Sequence, residues 1–290
     1  MDRYVLHCRK STLFLRERTH IMGILNVTPD SFSDGGRFLR PEAAIGRALE
    51  MIEEGADLLD IGGESTRPGA QPVDTATEIA RVVPVVEAIA ARTEVPISID
   101  TTKAEVARRA LEAGADIIND ISAARFDPQI VEVAARFEAP MVLMHIRGTP
   151  QTMQNDLHYD DVVAEIEGYL RERIATLRGR GLSRFILDPG IGFGKGLEHN
   201  LILLRRLSVL LPLGYPILVG VSRKSFIGAL TGVSRPADRL AGTIAAQTAA
   251  ILNGAAIVRA HDVKAAVEAA RVADALKEAA ICAADPPQEH

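Results

Sequence analysis

Eight short apolar runs rich in β-branched residues recur along the chain, and each turns polar in its last residues. They span 21–27, 57–63, 96–101, 116–122, 140–146, 184–190, 216–222 and 256–261, with segments of helical period between them. The stretch 103–113 is one such helix. Val106, Ala107, Ala110 and Leu111 mark one face, and Gly114 stands where a C-terminal cap belongs. Three helices end in a Gly-Ala pair that leads directly into the next strand: Gly55-Ala56-Asp57, Gly114-Ala115-Asp116 and Gly254-Ala255-Ala256. One repeating strand–helix unit is implied.

Eight such units predict a parallel α/β fold, either a closed barrel or an open doubly wound sheet. The polar strand ends discriminate between the two. The first strand ends at Asn26, the second at Gly62-Gly63-Glu64, the third at Asp100 and the fourth at Asn119-Asp120. The fifth ends at His145, the sixth at Asp188, the seventh at Ser222 and Lys224, and the eighth at Arg259 and His261. A single polar strand end is usually a turn residue or a cap, but eight in succession need a shared reason. In a β/α barrel all of them ring one mouth, where active sites are built. The sequence therefore reads as one α/β domain, a single (β/α)8 TIM barrel over 21–280. A short N-terminal extension, 1–20, precedes it, and its alternating YVLHC and LFL segments fit a hairpin at the barrel floor. Residues 281–290 read as a tail.

A chain of 290 residues with 47% apolar content can bury such a barrel. Its net charge of −5 provides no basic field, which argues against nucleic acid as a partner. No apolar run reaches membrane-spanning length, since even LILLRRLSVLL is interrupted by Arg205 and Arg206. The first twenty residues carry charges throughout and lack the apolar stretch of a secretory signal. Cys8 and Cys282, near opposite ends, fit neither a disulfide framework nor a metal cluster. A cytoplasmic protein is expected.

Two loops are suited to anions. IMGILNVTPDSFSDGG runs from a strand into a polar loop whose amides and hydroxyls can wrap a phosphate. Asn26 offers a neutral oxygen there to a hard cation such as Mg²⁺. In GGESTRPGAQ, two glycines permit close backbone approach, Arg67 supplies a guanidinium, and Pro68-Gly69 makes a turn that sets its direction. Lys224, Arg259 and His261 join Arg67 as the cations for a polyanion, while Arg223 points away toward a salt bridge.

Asp100, Asn119 and Asp188 follow almost wholly apolar strands, so their burial requires donors. A flat heterocycle with ring N–H and amino groups would supply them. Met144 lies beneath such a ring as a polarizable floor. With 4% aromatic residues and no Trp, stacking falls to Arg259, or to Phe32 and Phe193.

The ordered set NVTPDSFSDGG, DIGGESTRPGA, SIDT, NDIS, MHIRGTPQTMQ, DPGIGFGK, GVSRKSFIG and RAHD, from about residue 21 to 264, resembles the dihydropteroate synthase family. The resemblance implies a homodimeric pterin-binding barrel of folate biosynthesis and a target of sulfonamides. It implies a transferase that condenses 6-hydroxymethyl-7,8-dihydropterin pyrophosphate with para-aminobenzoate. It further implies that Asn26 contacts Mg²⁺ and that Arg67, Arg259 and His261 bind pyrophosphate. Asp100, Asn119, Asp188 and Lys224 would hold the pterin, with Met144 and Arg259 against its faces. Thr66, Pro68, Ser222, Phe32 and Phe193 would shape the para-aminobenzoate pocket. Catalysis would rest on Asn26, Asp100, Lys224, Arg259 and His261. Arg147 stands where the family often has Gln, a change expected to alter surface contacts.

Charge suggests a dissociative substitution. Loss of pyrophosphate leaves a cation delocalised over the dihydropterin, stabilised by Asp100. Two rivals are a methyltetrahydrofolate-dependent methyltransferase of the same barrel family and a catalytically silent pterin-binding paralogue. The first would have no use for the anion loops, and the second should have lost Asn26, Thr66, Arg67 or Lys224, all of which are present.

Overall fold

The structure, a computed structural model, describes residues 3–28 and 41–283. Phe32 and the rest of the first anion loop after Thr28 lie outside the described residues. Two short strands, β1 (Val5–His7) and β2 (Thr12–Phe14), pair antiparallel. The eight strands that follow are all parallel. They are β3 (His20–Asn26), β4 (Leu58–Gly62), β5 (Ile97–Asp100), β6 (Ile117–Asp120), β7 (Met141–Met144), β8 (Phe185–Asp188), β9 (Leu218–Gly220) and β10 (Ile257–Ala260). Each falls on one of the eight predicted runs, with its ends shifted by one or two residues. Their order is β8-β7-β6-β5-β4-β3-β10-β9. A parallel bridge between Leu187 and Ile217, with Leu187 N donating to Pro216 O at 2.8 Å, joins the two edges. The sheet is thereby closed into a barrel.

The Gly-Ala-Asp units have a physical explanation. Gly55, Gly114 and Gly254 take φ of 102°, 112° and 105°, the left-handed values that end a helix without a Cβ clash. The following alanine amide bonds back into the helix, as in Ala56 N to Met51 O and Ala115 N to Ala110 O, both 2.9 Å. Asp57 and Asp116 then accept amides at the start of the neighbouring strands, from Ile21 N at 2.8 Å and Ile97 N at 2.9 Å. In the third unit Ala256 replaces the acid. The unit closes a helix and pins the base of a strand together. The predicted helix at 103–113 is α3 (Ala104–Ala113).

Period two sorts each strand into two faces. Outward residues such as Leu59, Ile61, Ile99 and Leu187 join the apolar layer between sheet and helices. Inward, Met22, Leu58, Ile117, Val142, Ile186, Leu218 and Ile257 form an apolar cluster with Leu6 and Leu15 from the hairpin segment. Two residues further along the same face, the lining becomes Asp60, Asn119, Met144, Asp188, Gly220 and Arg259. The barrel is therefore apolar below and polar immediately under its mouth. Among the described residues no helix is long and apolar enough to cross a membrane.

Candidate active site

Strand register brings Asn26, Gly62, Asp100 and Asn119 level with one another across β3, β4, β5 and β6. Below them lies Asp60, which is fully buried. Its Oδ2 accepts from Arg259 Nε at 2.6 Å and from Asn119 Nδ2 at 3.0 Å. Arg259 Nη2 donates at 2.8 Å to Asp100, so one guanidinium bridges two carboxylates. Burial pushes the Asp100 carboxyl up to about 7, against the pull of Arg259 and with the help of Asp60. Asp100 thus sits between its protonated and ionised forms near neutrality.

On the opposite wall, Asp188 Oδ1 accepts from Gly190 N at 2.7 Å. Burial raises this carboxyl too, while Lys224 opposes the shift. The Lys224 ammonium donates to Ile191 O and lies 4.5 Å from the centroid of the Phe193 ring. Burial lowers it to about 8, with Asp188 counteracting. Met144 is in register with Asp188, and it packs in an apolar cluster with Ile121, Ile146 and Met153 against which Phe193 rests. Phe193 therefore sits beside Lys224 and Met144. Asp100, Asn119, Met144 and Asp188 thus all stand at the mouth ends of their strands.

The rim carries the other predicted residues. His261 Nδ1 lies 2.9 Å from Ser222 Oγ, which also accepts from His261 N at 3.2 Å. Burial, then Arg259, Arg223 and Arg67, lower the imidazole to about 3, so it is neutral at physiological pH. A neutral imidazole there can donate a hydrogen bond but carries no standing charge. Arg67 and Pro68 are exposed and Thr66 is half-buried. Gly69 N donates to Pro150 O at 3.1 Å, tying the second loop to the loop after β7. Arg223 turns away, as expected, and pairs with Asp262 through Nε at 3.0 Å.

A cleft of about 220 Å³ opens beside Asp100 and Thr66, with Thr101, Lys103, Thr149 and Gln151 in its walls. Lys103 bridges Glu64 at the base of the second loop to the buried Glu78.

Three contributors escaped the sequence reading. Asp60 holds two site residues. Lys195 is buried behind the sixth-strand loop, with Nζ 2.9 Å from His145 Nδ1 and donating to Phe193 O at 2.9 Å. Lys103 braces the second loop. Conversely, Asp120 is a turn residue that accepts from Ser122 N and Ala124 N, both at 2.7 Å. Arg147 makes outer contacts, with its guanidinium 3.8 Å from the Tyr159 centroid and an ion pair to Glu165 at 2.8 Å.

Comparison with known proteins gives the family. The family of pterin binding enzymes matches residues 22–261. A dihydropteroate synthase from Synechocystis sp. is 52% identical over 262 residues, covering 90% of this chain and 91% of that protein. The structure of Xanthomonas albilineans dihydropteroate synthase with 4-aminobenzoic acid superposes with a TM-score of 0.89 at 48% identity, covering 94% of this chain and 98% of that one. The Yersinia pestis dihydropteroate synthase in a sulfonamide drug complex gives 0.89 at 46% identity, with 94% and 99% covered. The chain belongs to the dihydropteroate synthase family of pterin-binding enzymes.

Proposed function

We propose that this chain condenses 6-hydroxymethyl-7,8-dihydropterin pyrophosphate with para-aminobenzoate to give 7,8-dihydropteroate and pyrophosphate in folate biosynthesis. The observation that carries this reading is the inner polar layer, where Asp100, Asn119 and Asp188 are buried with acceptor oxygens to spare. Asn119 gives its amino group to Asp60, so its Oδ1 is the end left to serve another donor. Asp188 has one oxygen on Gly190 N, and Asp100 has one on Arg259, which leaves each a second. A ring edge bearing N–H and NH₂ donors matches that set. Lys224 supplies a donor for a ring carbonyl or nitrogen, and Met144 an apolar face.

Arg67, Arg259 and His261 are the groups for the pyrophosphate. Asn26 fits Mg²⁺ by its donor chemistry, as a neutral hard oxygen at a strand end level with Asp100. Among the described residues no group of three His, Cys, Asp or Glu is placed to hold a metal by itself. The remaining ligands would then be phosphate oxygens of the substrate. When bound, the ion neutralises charge that develops on the leaving group.

The bond between the pterin methylene and the phosphate oxygen breaks first, and pyrophosphate leaves with the electron pair. The resulting cation is delocalised into the dihydropterin, and ionised Asp100 stabilises it. The amine nitrogen of para-aminobenzoate then forms the new C–N bond and releases a proton, so no strong base is needed. Thr66, Pro68, Ser222, Phe32 and Phe193 are assigned to the pocket for this second substrate, which sulfonamides would also occupy. A cytoplasmic homodimer is the expected form. The barrel proper is assigned to 21–280, with the hairpin segment as its floor.

A turnover assay with both substrates and Mg²⁺ tests the reading. Pyrophosphate release that depends on para-aminobenzoate and is inhibited by a sulfonamide supports it. Absence of turnover, or release of a methyl group from methyltetrahydrofolate, overturns it.

A further inference from the structure

Asp60 lies in the middle of β4 between Leu59 and Ile61, and neither of its neighbours is polar. Its carboxylate is inaccessible to solvent, so it can act on a substrate only through other residues. Both of its hydrogen bonds converge on Oδ2, one from Asn119 on β6 and one from Arg259 on β10. Oδ1 has no hydrogen-bond partner among the described residues. One oxygen atom therefore joins two strands on different sides of the barrel.

Two consequences follow from elementary chemistry. An ionised carboxylate only accepts, so the Asn119 group turned toward it must be the amino group. The Asn119 carbonyl oxygen is then the end left to accept from a ligand. The Arg259 guanidinium is also held through Nε, which fixes its plane before Nη2 reaches Asp100.

We infer that Asp60 is a positioning residue of the pterin site, one that sets the donor–acceptor polarity of Asn119 and shares Arg259 with Asp100. This inference rests on the dihydropteroate synthase reading. The site then selects a heterocycle edge that donates to Asn119, and it rejects isosteres that present an acceptor there.

Asp60→Asn and Asp60→Ala separate the two effects. Asparagine can keep its carbonyl oxygen in the Oδ2 position, so both hydrogen bonds survive while the charge is lost. Asp100 is faced by Arg259 from β10, Asp60 from β4, Glu78 from the helix after the second loop, and Asp120 from β6. Removing the Asp60 charge takes away a negative neighbour of Asp100 and a competitor for the Arg259 charge. The acidic limb of kcat/KM should then move about one pH unit lower. Affinity for 6-hydroxymethyl-7,8-dihydropterin should stay near that of the parent. In Asp60→Ala both contacts vanish, and the same affinity should fall about a hundredfold, with KM for para-aminobenzoate unchanged.

Calorimetry of the pterin fragment on the full chain reads the positioning role whether or not the protein turns over. The inference is overturned if Asp60→Ala, folded by its melting curve, binds the pterin as tightly as the parent. It is equally overturned if Asp60→Asn behaves as the parent in both affinity and pH profile. Failure of the unaltered protein to turn over would count against the parent reading alone.

Discussion

Lys195 Nζ lies 2.9 Å from His145 Nδ1 and donates to the His145 and Phe193 carbonyls, at 3.2 and 2.9 Å, so one buried lysine ties the end of β7 to the loop after β8. Burial, and only then Asp188, Lys224 and Arg147, governs its proton, which is held well below the ordinary lysine range. The same burial pushes His145 down to about 2, and Tyr169 packs edge-on against its ring at 4.9 Å. Lys195→Met strands the two carbonyls, each at a cost of about 1–3 kcal/mol. Urea unfolding at pH 8 should show a loss of about 3 kcal/mol or more. Because the folded-state pKa is depressed, the lysine's contribution fades as pH falls, so the gap between parent and variant should narrow in acid. An unchanged unfolding midpoint would contradict this account of the pair.

Asp100 at about 7 and Lys224 at about 8 predict a narrow bell for kcat/KM toward the pterin substrate. Activity rises through about 7 as Asp100 ionises and falls above about 8 as Lys224 loses its proton. Lys224→Arg keeps a cation at all pH values, so its falling limb should disappear while the rising limb remains. Steady-state rates from pH 5.5 to 9.5 check both limbs.

Gly190 takes φ of 69°, and a Cβ there would collide with the His145 carbonyl oxygen. Its amide also holds Asp188. Gly190→Ala should therefore destabilise the fold by about 3 kcal/mol and lower pterin affinity together. Denaturation and calorimetry on one preparation would separate this from a purely local effect.

Leu6 is 1% exposed among the inward-facing floor residues. Leu6→Ala should cost about 3 kcal/mol by leaving a cavity, yet leave both KM values as they were. A changed KM would mean that the hairpin reaches the chemistry.

Strands and mouth were legible because two periodicities coincide in the sequence: apolar runs mark the sheet, and their polar ends mark one face of the barrel. Asp60 escaped because it stands two residues short of its strand end, where attention to terminal residues does not reach. Strict alternation through Leu58, Asp60 and Gly62 was the signal that could have found it. The same alternation separates Asn119, inward with Ile117, from Asp120, outward with Ile118 and occupied by a turn. Lys195 had no such signal. Its partners are His145, at the end of β7, and the Phe193 carbonyl, and only the folded path of Gly190, Gly192 and Gly194 brings the latter to it. His261 was legible as a position, but its charge was not, because burial beside three arginines is a property of the fold.

The division of labour between ring-holding strands and anion-holding rim is tested most directly by a crossed binding measurement. Calorimetry would compare 6-hydroxymethyl-7,8-dihydropterin with Mg²⁺-pyrophosphate on the unaltered protein, Asp188→Ala and Arg67→Ala. The account predicts a crossover: Asp188→Ala loses the pterin by about tenfold or more and keeps pyrophosphate, and Arg67→Ala does the reverse. Equal losses of both ligands in either variant would contradict it.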